Sequence, residues 1–312
     1  MPEEHRTACN MNIGILSRGP QLYSTQQLWK AGQMRGHRML LYDPTFCQLR
    51  LDECPAVIYE GEEVQSLQAI IPRIGASITE QGASVIQQFE MMGVYSTASS
   101  GALLQSRDKL RCLQRLTQAG IPVPRTVLVN QPESLPELLY AVGGMPVVIK
   151  LLQSTHGIGV LLAENYHQAT STIEAMIRLG SRVIVQEFIR ESAGVDVRAF
   201  VVAGEVVAVM CRQAANGDFR SNLHRGATAT PTRLSPLEEE LVKKSVIALG
   251  IDVAGVDLLR SKRGPLIMEV NASPGLEGIE TITGVDVAGK IIQHIEKRLR
   301  KARVLSQVFT EK

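Results

Sequence analysis

Two short apolar runs, VAGVDLLR at 253–260 and LIMEVN at 266–271, stand only five residues apart, and those five, SKRGP, carry a turn signal. Strand-forming runs around such a loop predict an antiparallel hairpin. Pairing Arg260 with Leu266 sets Asp257 directly opposite Glu269. Asn271, two residues beyond Glu269, falls on the same strand face. Asp257, Glu269 and Asn271 are all oxygen donors, a set that suits a hard cation such as Mg²⁺ with part of its shell left to water or phosphate. A half-exposed hairpin with solvated acids shows the same pattern. Leu259 and Ile267, expected on the acid-bearing face, and the tight NASPG loop that follows favour the metal reading.

The rest of the chain narrows the class. Its 312 residues suffice for two or three compact units with a substantial core. With 33 basic against 31 acidic residues the net charge is +2, so no global field argues for nucleic acid or a membrane. The five cysteines are odd in number, scattered and free of CxxC pairs, as in a reduced cytosolic protein without zinc. The opening MPEEHRTACN has acids and no apolar stretch, so residues 1–10 read as a disordered extension rather than a signal peptide. No run reaches the ~18 apolar residues of a membrane helix. A cytoplasmic protein is expected.

Strand and helix signals alternate over 11–98: NIGILS, a helix near Tyr23–Arg35, HRMLLYDP, AIIPRIG, and a helix in SVIQQFEMMG. That is a small doubly wound α/β unit. It lacks a GxGxxG after its first strand, so it is not read as a dinucleotide site. Ser99 to Gln118 reads as one amphipathic helix, closed by AGIPVPRT. A second unit, 99–190, contains PVVIKLL, the loop QSTHGIG, the strand GVLLAE, a helix near 166–179 and RVIVQEFI. A third, 191–303, contains two strands joined at Ala203-Gly204, a polar loop, a helix at 235–249, the acidic hairpin and a basic helix from Ala288 to Arg303. Residues 304–312 read as a tail.

Lys150 rises from an apolar strand immediately before a loop with Gly157 and Gly159. Burying a lysine is costly without an anion, and glycines let main-chain N–H groups close over phosphate oxygens. No GK[ST] follows, so this is not a Walker loop, and a snorkelling lysine beside a flexible hairpin has the same sequence. In VQEFI, Glu187 stands where it can accept from ribose hydroxyls while strand-end main chain holds a base. Arg212, Arg220, Asn222, His224 and Arg225 form one dense basic cluster, suited to carboxylate or phosphoryl groups or simply to water.

VVIKLLQSTHGIGV, VQEFI, DVRAFVV, GDFRSNLHRG, AGVDLL and MEVNASPGLEGIE, in this order and spacing, strongly resemble the ATP-grasp superfamily, and within it the RimK-type α-L-glutamate ligases. The resemblance runs from Met11 to the C-terminal helix. It implies an α/β (α+β ATP-grasp) fold: a Rossmann-like N-terminal domain, then two α+β subdomains that clasp ATP between antiparallel sheets. Lys109 and Lys150 would contact the ATP phosphates, with Gly157 in the glycine-rich loop. Glu187, Phe188 and Asp196 would hold adenine and ribose, and Arg220, Ser221 and Asn222 would border the nucleotide. Asp257, Glu269 and Asn271 would bind two Mg²⁺ or Mn²⁺ ions.

Arg212 and Arg225 are the catalytic candidates, Arg212 together with the amides of Ser273 to Gly275 for a tetrahedral oxyanion. Such relatives add glutamate to the C-terminal glutamate of small-subunit ribosomal protein S-six, and some make poly-α-glutamate. Another carboxylate acceptor, such as a carrier-protein tail or a small cofactor, fits the same reaction, and a nucleotide-binding module without catalysis fits the same fold, though the intact Asp257, Glu269 and Asn271 set argues against it. A tetramer, an acidic peptide partner and no contact with nucleic acid or membrane are implied. Ser154 and His156 depart from the usual glycine and glutamine, and Gln213 from the usual arginine.

Overall fold

The apolar run NIGIL forms strand β1 (Asn12–Leu16) in a computed structural model that describes residues 10–131, 135–152, 159–215, 218–221 and 226–310, the side chains of 303 and 305–310 excepted. Helix α1 (Tyr23–Met34) and strand β2 (Arg38–Tyr42) follow. Next come three short strands, β3 (Gln48–Arg50), β4 (Ala56–Tyr59) and β5 (Glu62–Glu63), which make an antiparallel sheet of their own. The sequence reading does not anticipate this sheet. Buried Gln88 secures it, donating Nε2 to the carbonyls of Arg50 and Ala56 at 2.9 and 3.2 Å. Strand β6 (Ala69–Pro72), helix α2 (Thr79–Met91) and strand β7 (Tyr95–Ser96) complete a parallel sheet of order β2-β1-β6-β7. The doubly wound reading is therefore borne out. Strands that are apolar along nearly their whole length require cover on both faces.

The expected helix from Ser99 to Gln118 is two: α3 (Ser100–Arg107) and α4 (Lys109–Gln118). Asp108 separates them, with extended backbone (φ −83°, ψ 107°) and a carboxylate that accepts from the N–H groups of Leu110 and Arg111. An aspartate offers the main chain this N-cap in place of helix continuation, and amphipathic periodicity does not register it.

Strands β8 (Thr126–Val129), β9 (Val147–Leu151), β10 (Val160–Ala163) and β11 (Val183–Glu187) form an antiparallel sheet of order β10-β9-β11-β8. Helices α5 (Leu135–Ala141) and α6 (Tyr166–Arg178) bury Leu135, Leu139 and Ile173 with Val147, Ile149, Val183 and Val185 of this sheet. A second sheet has order β14-β13-β12-β15-β16, with β12 (Val195–Val202), β13 (Glu205–Gln213), β14 (Thr228–Pro231), β15 (Val253–Ser261) and β16 (Gly264–Asn271). Ala203 (φ 56°) and Gly204 (φ 76°) join β12 to β13 as expected, both in the left-handed region that a two-residue hairpin turn demands. Helix α7 (Pro236–Leu249) precedes β15.

After β16 come α8 (Glu277–Thr283) and α9 (Val287–Thr310), so the basic helix continues well past Arg303. The chain divides into two compact units, one of residues up to Leu104 with Gly250–Val253 and everything from Ala272, the other of Gln105–Leu249 and Ala254–Asn271. Helix α9, grouped by the sequence reading with 191–303, thus falls with the N-terminal unit. Residues 1–9 lie outside the described set. No helix among the described residues is long and apolar enough to cross a membrane.

Within the first unit, Glu296 of α9 accepts from Arg35 Nε and Nη2 at 2.9 and 2.7 Å and bonds His37 Nε2 at 2.9 Å. Among the described residues, His37 Nδ1 is buried without a partner. Burial alone would raise the Glu296 carboxyl, but Arg35 and His37 hold it below its ordinary value; Asp286 adds to the field on Arg35. A depressed carboxylate pKa gives stability that is present above the unfolded value of about 4.3 and lost as pH falls through the folded one. Glu296→Gln is therefore expected to cost about 1–3 kcal/mol near neutral pH, measured by denaturant midpoint, with the difference shrinking below about pH 4. An equal difference at neutral and acidic pH would exclude this role.

Candidate active site

In the hairpin of the second sheet, Asp257 stands opposite Glu269, and Asn271 opposite Gly255. The register reaches that pairing differently than expected. The turn is only Lys262-Arg263, with Ser261 paired to Gly264 and Arg260 to Pro265 rather than Leu266. Continued without interruption, this register would set Asp257 against Met268. A shift between Asp257 and Leu258 absorbs Met268 as a bulge and restores Glu269 to its place. Ile267 consequently pairs with Leu258 and leaves the acid-bearing face on which it was expected.

Helix α7 buries Leu241, Val242 and Val246 in the core of this unit. Along β12, Asp196 and Arg198 alternate with apolar Val197 and Ala199, and Arg212 of β13 stands opposite Asp196. Arg198 donates Nε and Nη2 to the two Asp257 oxygens at 2.7 and 2.6 Å. Arg212 donates Nε and Nη2 to Asp196 at 2.6 Å each, and Nη2 also to Asp257 at 2.8 Å. Ser221 closes the chain by donating its hydroxyl to Asp196 at 2.5 Å. Asp257, Asp196 and Arg212 are 1%, 4% and 3% exposed. Isolated charges there would cost several kcal/mol each; a continuous ion-paired chain offsets that.

The electrostatics follow. Burial would raise Asp257, but Arg198 and Arg212 hold it well below the usual carboxylate range. Burial would lower Arg212, and Asp257 and Asp196 hold it above its ordinary value. Glu269 moves the other way: burial and the negative charge of Asp257 raise it.

Lys150 comes from the first sheet. It pairs across strands with Ile184, which places it on the face opposite the α5 and α6 core and diagonal to Gln186. Its Nζ donates to Gln186 Oε1 at 2.6 Å, and Gln186 Nε2 donates to Thr126 Oγ1 at 2.8 Å. Burial pushes Lys150 down to about 8, with Lys109 acting in the same direction and Glu269 against it. Burial likewise lowers Lys109 and Arg107, and both feel Glu269. Five basic groups (Arg107, Lys109, Lys150, Arg198, Arg212) thus gather with three carboxylates (Asp196, Asp257, Glu269), an excess of positive charge suited to a polyphosphate.

Other expected site residues have different surroundings. Arg212 is expected to face a reacting oxyanion; it is buried, and its Nε and Nη2 donate to Asp196 and Asp257. Asp196, expected beside the nucleotide, accepts from Arg212, and Ser221, expected there too, donates to Asp196. Arg220 pairs with Asp218 at 2.9 Å and lies 5.5 Å from the Phe219 ring, which in turn meets Phe188 edge-to-face at 6.4 Å. Glu187 accepts from the N–H of Arg125 at 2.6 Å and from Arg263 Nη1 at 2.9 Å. Gly157, Asn222 and Arg225 lie outside the described residues. Ser273 to Gly275 belong to the first unit, where Ser273 donates to the Pro72 carbonyl at 3.3 Å and Arg73 to that of Pro274 at 2.7 Å.

Three residues escaped the sequence reading. Arg198 was signalled by its spacing, two after Asp196 and so on the same face. Arg107 lies two before Lys109. Arg263, in the hairpin turn, carried no local signal.

Donor chemistry fits a hard divalent cation: Asp257 and Glu269 face each other across the bulge, with the Asn271 amide on the same strand face. Among the described residues no group of three or more His, Cys, Asp or Glu side chains is arranged for a metal. An ion here would draw on two carboxylates, one amide and oxygens of the nucleotide.

Residues 106–295 match the RimK-like ATP-grasp domain and residues 11–103 the RimK PreATP-grasp domain. Similar proteins include a probable alpha-L-glutamate ligase of Syntrophotalea carbinolica, 52% identical over 94% of this chain and 98% of its own. Another, from Vibrio cholerae, is 50% identical over the same shares. Among solved structures, the ATP-grasp ligase PsnB complexed with minimal precursor superposes with a TM-score of 0.73 at 19% identity, covering 92% of this chain and 99% of that one. A RimK domain protein from Sphaerobacter thermophilus gives 0.69 at 24% identity, covering 91% and 98%. These last two establish the ATP-grasp fold, and the sequence matches establish the rest: the chain belongs to the RimK-like ATP-grasp family of ATP-dependent ligases, among relatives named probable alpha-L-glutamate ligase.

Proposed function

We propose that the protein is an α-L-glutamate ligase that uses ATP to activate a carboxylate and joins the amine of glutamate to it. The observation that carries this reading is the gathering of Lys150, Lys109 and Arg107 around Glu269, beside an Asp257 held by two arginines. Similarity to relatives named probable alpha-L-glutamate ligase supports glutamate as the incoming amine. Solved neighbours bound to precursor peptides support a peptide as the acceptor. The finer reading is a glutamate-ended tail, such as that of ribosomal protein S-six, extended by one or more residues in the cytoplasm.

The acceptor carboxylate attacks the γ-phosphorus of ATP, the bond to the β-phosphate oxygen breaks, and an acyl phosphate and ADP result. The amine of glutamate then attacks the acyl carbon, releasing phosphate and forming the amide. Lys150 and Lys109 neutralise charge on the phosphates. Arg198, with 16% side-chain exposure against 4% for Arg212, is the guanidinium able to share its donors between Asp257 and a phosphoryl oxygen. Arg212 holds Asp257 in position. Mg²⁺ or Mn²⁺ held by Asp257, Glu269 and Asn271 would supply Lewis-acid stabilisation of the same charge; a neighbouring ATP-grasp ligase has been solved with Mg and ADP.

The direct test is intact-mass analysis of a glutamate-ended peptide after incubation with the protein, ATP, Mg²⁺ and glutamate. Increments of one glutamyl residue are expected, and an unmodified peptide with every acceptor offered would refute the ligase assignment. Glu269→Gln is expected to abolish glutamate-dependent ADP release while the circular dichroism stays unchanged, since it removes one of two facing carboxylates. Turnover within about threefold of the parent would remove Glu269 from the metal set. Lys150→Ala is expected to weaken binding of a non-hydrolysable ATP analogue by about 1.5–3 kcal/mol, roughly one to two orders of magnitude in Kd. An unchanged Kd would make Lys150 a half-buried structural lysine.

A further inference from the structure

The turn of the acid-bearing hairpin is bound to the end of β11. Arg263 donates Nη1 to Glu187 Oε2 at 2.9 Å and Nη2 to Oε1. The N–H of Arg125 reaches the same Oε1 at 2.6 Å, while Glu187 returns its own N–H to the Arg125 carbonyl at 2.9 Å. Beside this pair, the N–H of Lys262 donates to Glu191 Oε1 at 2.6 Å and the Ser192 hydroxyl to the Arg260 carbonyl at 2.5 Å. Four residues of one hairpin end and its approach, Arg260 to Arg263, therefore supply three ties to the segment 187–192. The Glu187 side chain is 10% exposed and that of Arg263 43%.

A carboxylate with both oxygens on one guanidinium and one of them also on a main-chain N–H has little capacity left for ribose hydroxyls. The two elements it connects are those on which the nucleotide reading depends. Segment 186–188 ends the strand expected to hold the base, and the hairpin carries Asp257 and Glu269 for the phosphates.

We propose that Arg263 is a positioning residue of the nucleotide site: through Glu187 it fixes the end of β11 against the β15–β16 hairpin, and Glu187 is a clasp rather than a ribose ligand. The proposal rests on the nucleotide reading of this site but not on the identity of the acceptor or the amine. Loss of the clasp leaves the chemistry intact and loosens the separation between the base-holding and phosphate-holding ends, so it weakens binding more than turnover.

The test is calorimetric titration of the full chain with adenylyl imidodiphosphate and Mg²⁺, and with its 2′-deoxy counterpart. The variants are Arg263→Ala, Arg263→Lys, Glu187→Gln and the double Arg263→Ala/Glu187→Gln. Each of Arg263→Ala and Glu187→Gln is expected to raise Kd by about three- to tenfold, the range for a partly buried ion pair. The double variant should be no worse than the weaker single, because the two residues act through one bond. Arg263→Lys, which keeps the charge without the fork, should fall between the parent and Arg263→Ala; it also serves if the alanine variant does not fold. The 2′-deoxy penalty should be the same in the parent and in Glu187→Gln, and Arg263→Ala should raise the ATP KM with kcat within about twofold.

If Glu187→Gln weakens binding and erases the 2′-deoxy penalty while Arg263→Ala binds like the parent, Glu187 is a ribose ligand and the clasp is wrong. Additive losses in the double variant, or a fall in kcat with unchanged KM, also overturn it. A parent that binds the analogue but ligates nothing defeats the ligase assignment alone. A parent that binds no nucleotide defeats both.

Discussion

The site depends on how a nearly inaccessible carboxylate, Asp257, remains charged. Two guanidiniums hold it, Arg198 of β12 and Arg212 of β13, and Arg212 is itself held by Asp196. Each member satisfies the next, so a polar strand face survives inside a unit whose helices bury apolar side chains. Breaking the chain at any point would strand a buried charge. That makes the face rigid as well as charged, which is what positioning a polyphosphate requires.

Glu269 answers to a different constraint. It stands opposite Asp257, but its pKa rises through burial and that neighbour, with Arg198, Lys150 and Lys109 pulling it down only in part. Burial also lowers those lysines, Lys150 to about 8. Acid and bases alike are held in a desolvated setting in which added opposite charge is stabilising on either side. On the proposed reading, phosphate oxygens would meet the lysines and a hard cation the acids, both arriving with a metal-bound nucleotide.

Much of the molecule was legible from spacing. Continuous apolar strands gave away the parallel sheet of the first unit, Ala203-Gly204 marked the β12–β13 hairpin of the second, and the i, i+2 relation of Glu269 and Asn271 marked one strand face. Asp108 shows where periodicity runs out: the residue breaks a helix by offering its own carboxylate to the backbone, at no visible cost to the amphipathic pattern. The β3–β5 sheet was invisible because strands of two to four residues are too short for alternation to register, and its support comes from Gln88, far away in sequence.

The sequence by itself determined which residues are chemically able to serve, because side-chain type, strand alternation and turn chemistry are local properties. It named Lys150, Asp257, Glu269 and Asn271 on those grounds. Only the tertiary structure decided what each is joined to. The bulge that absorbs Met268 corrects a turn three residues shorter than expected, and no local preference distinguishes that register from a straight one. Arg212 looked like a free cation in a basic cluster, yet cross-strand pairing with Asp196 committed it to the interior. Arg263 and Glu187, 76 residues apart, meet only because two sheets bring a hairpin turn to a strand end. Which charges are partnered is a property of long-range packing, and pairing is what turns a list of charged residues into a site.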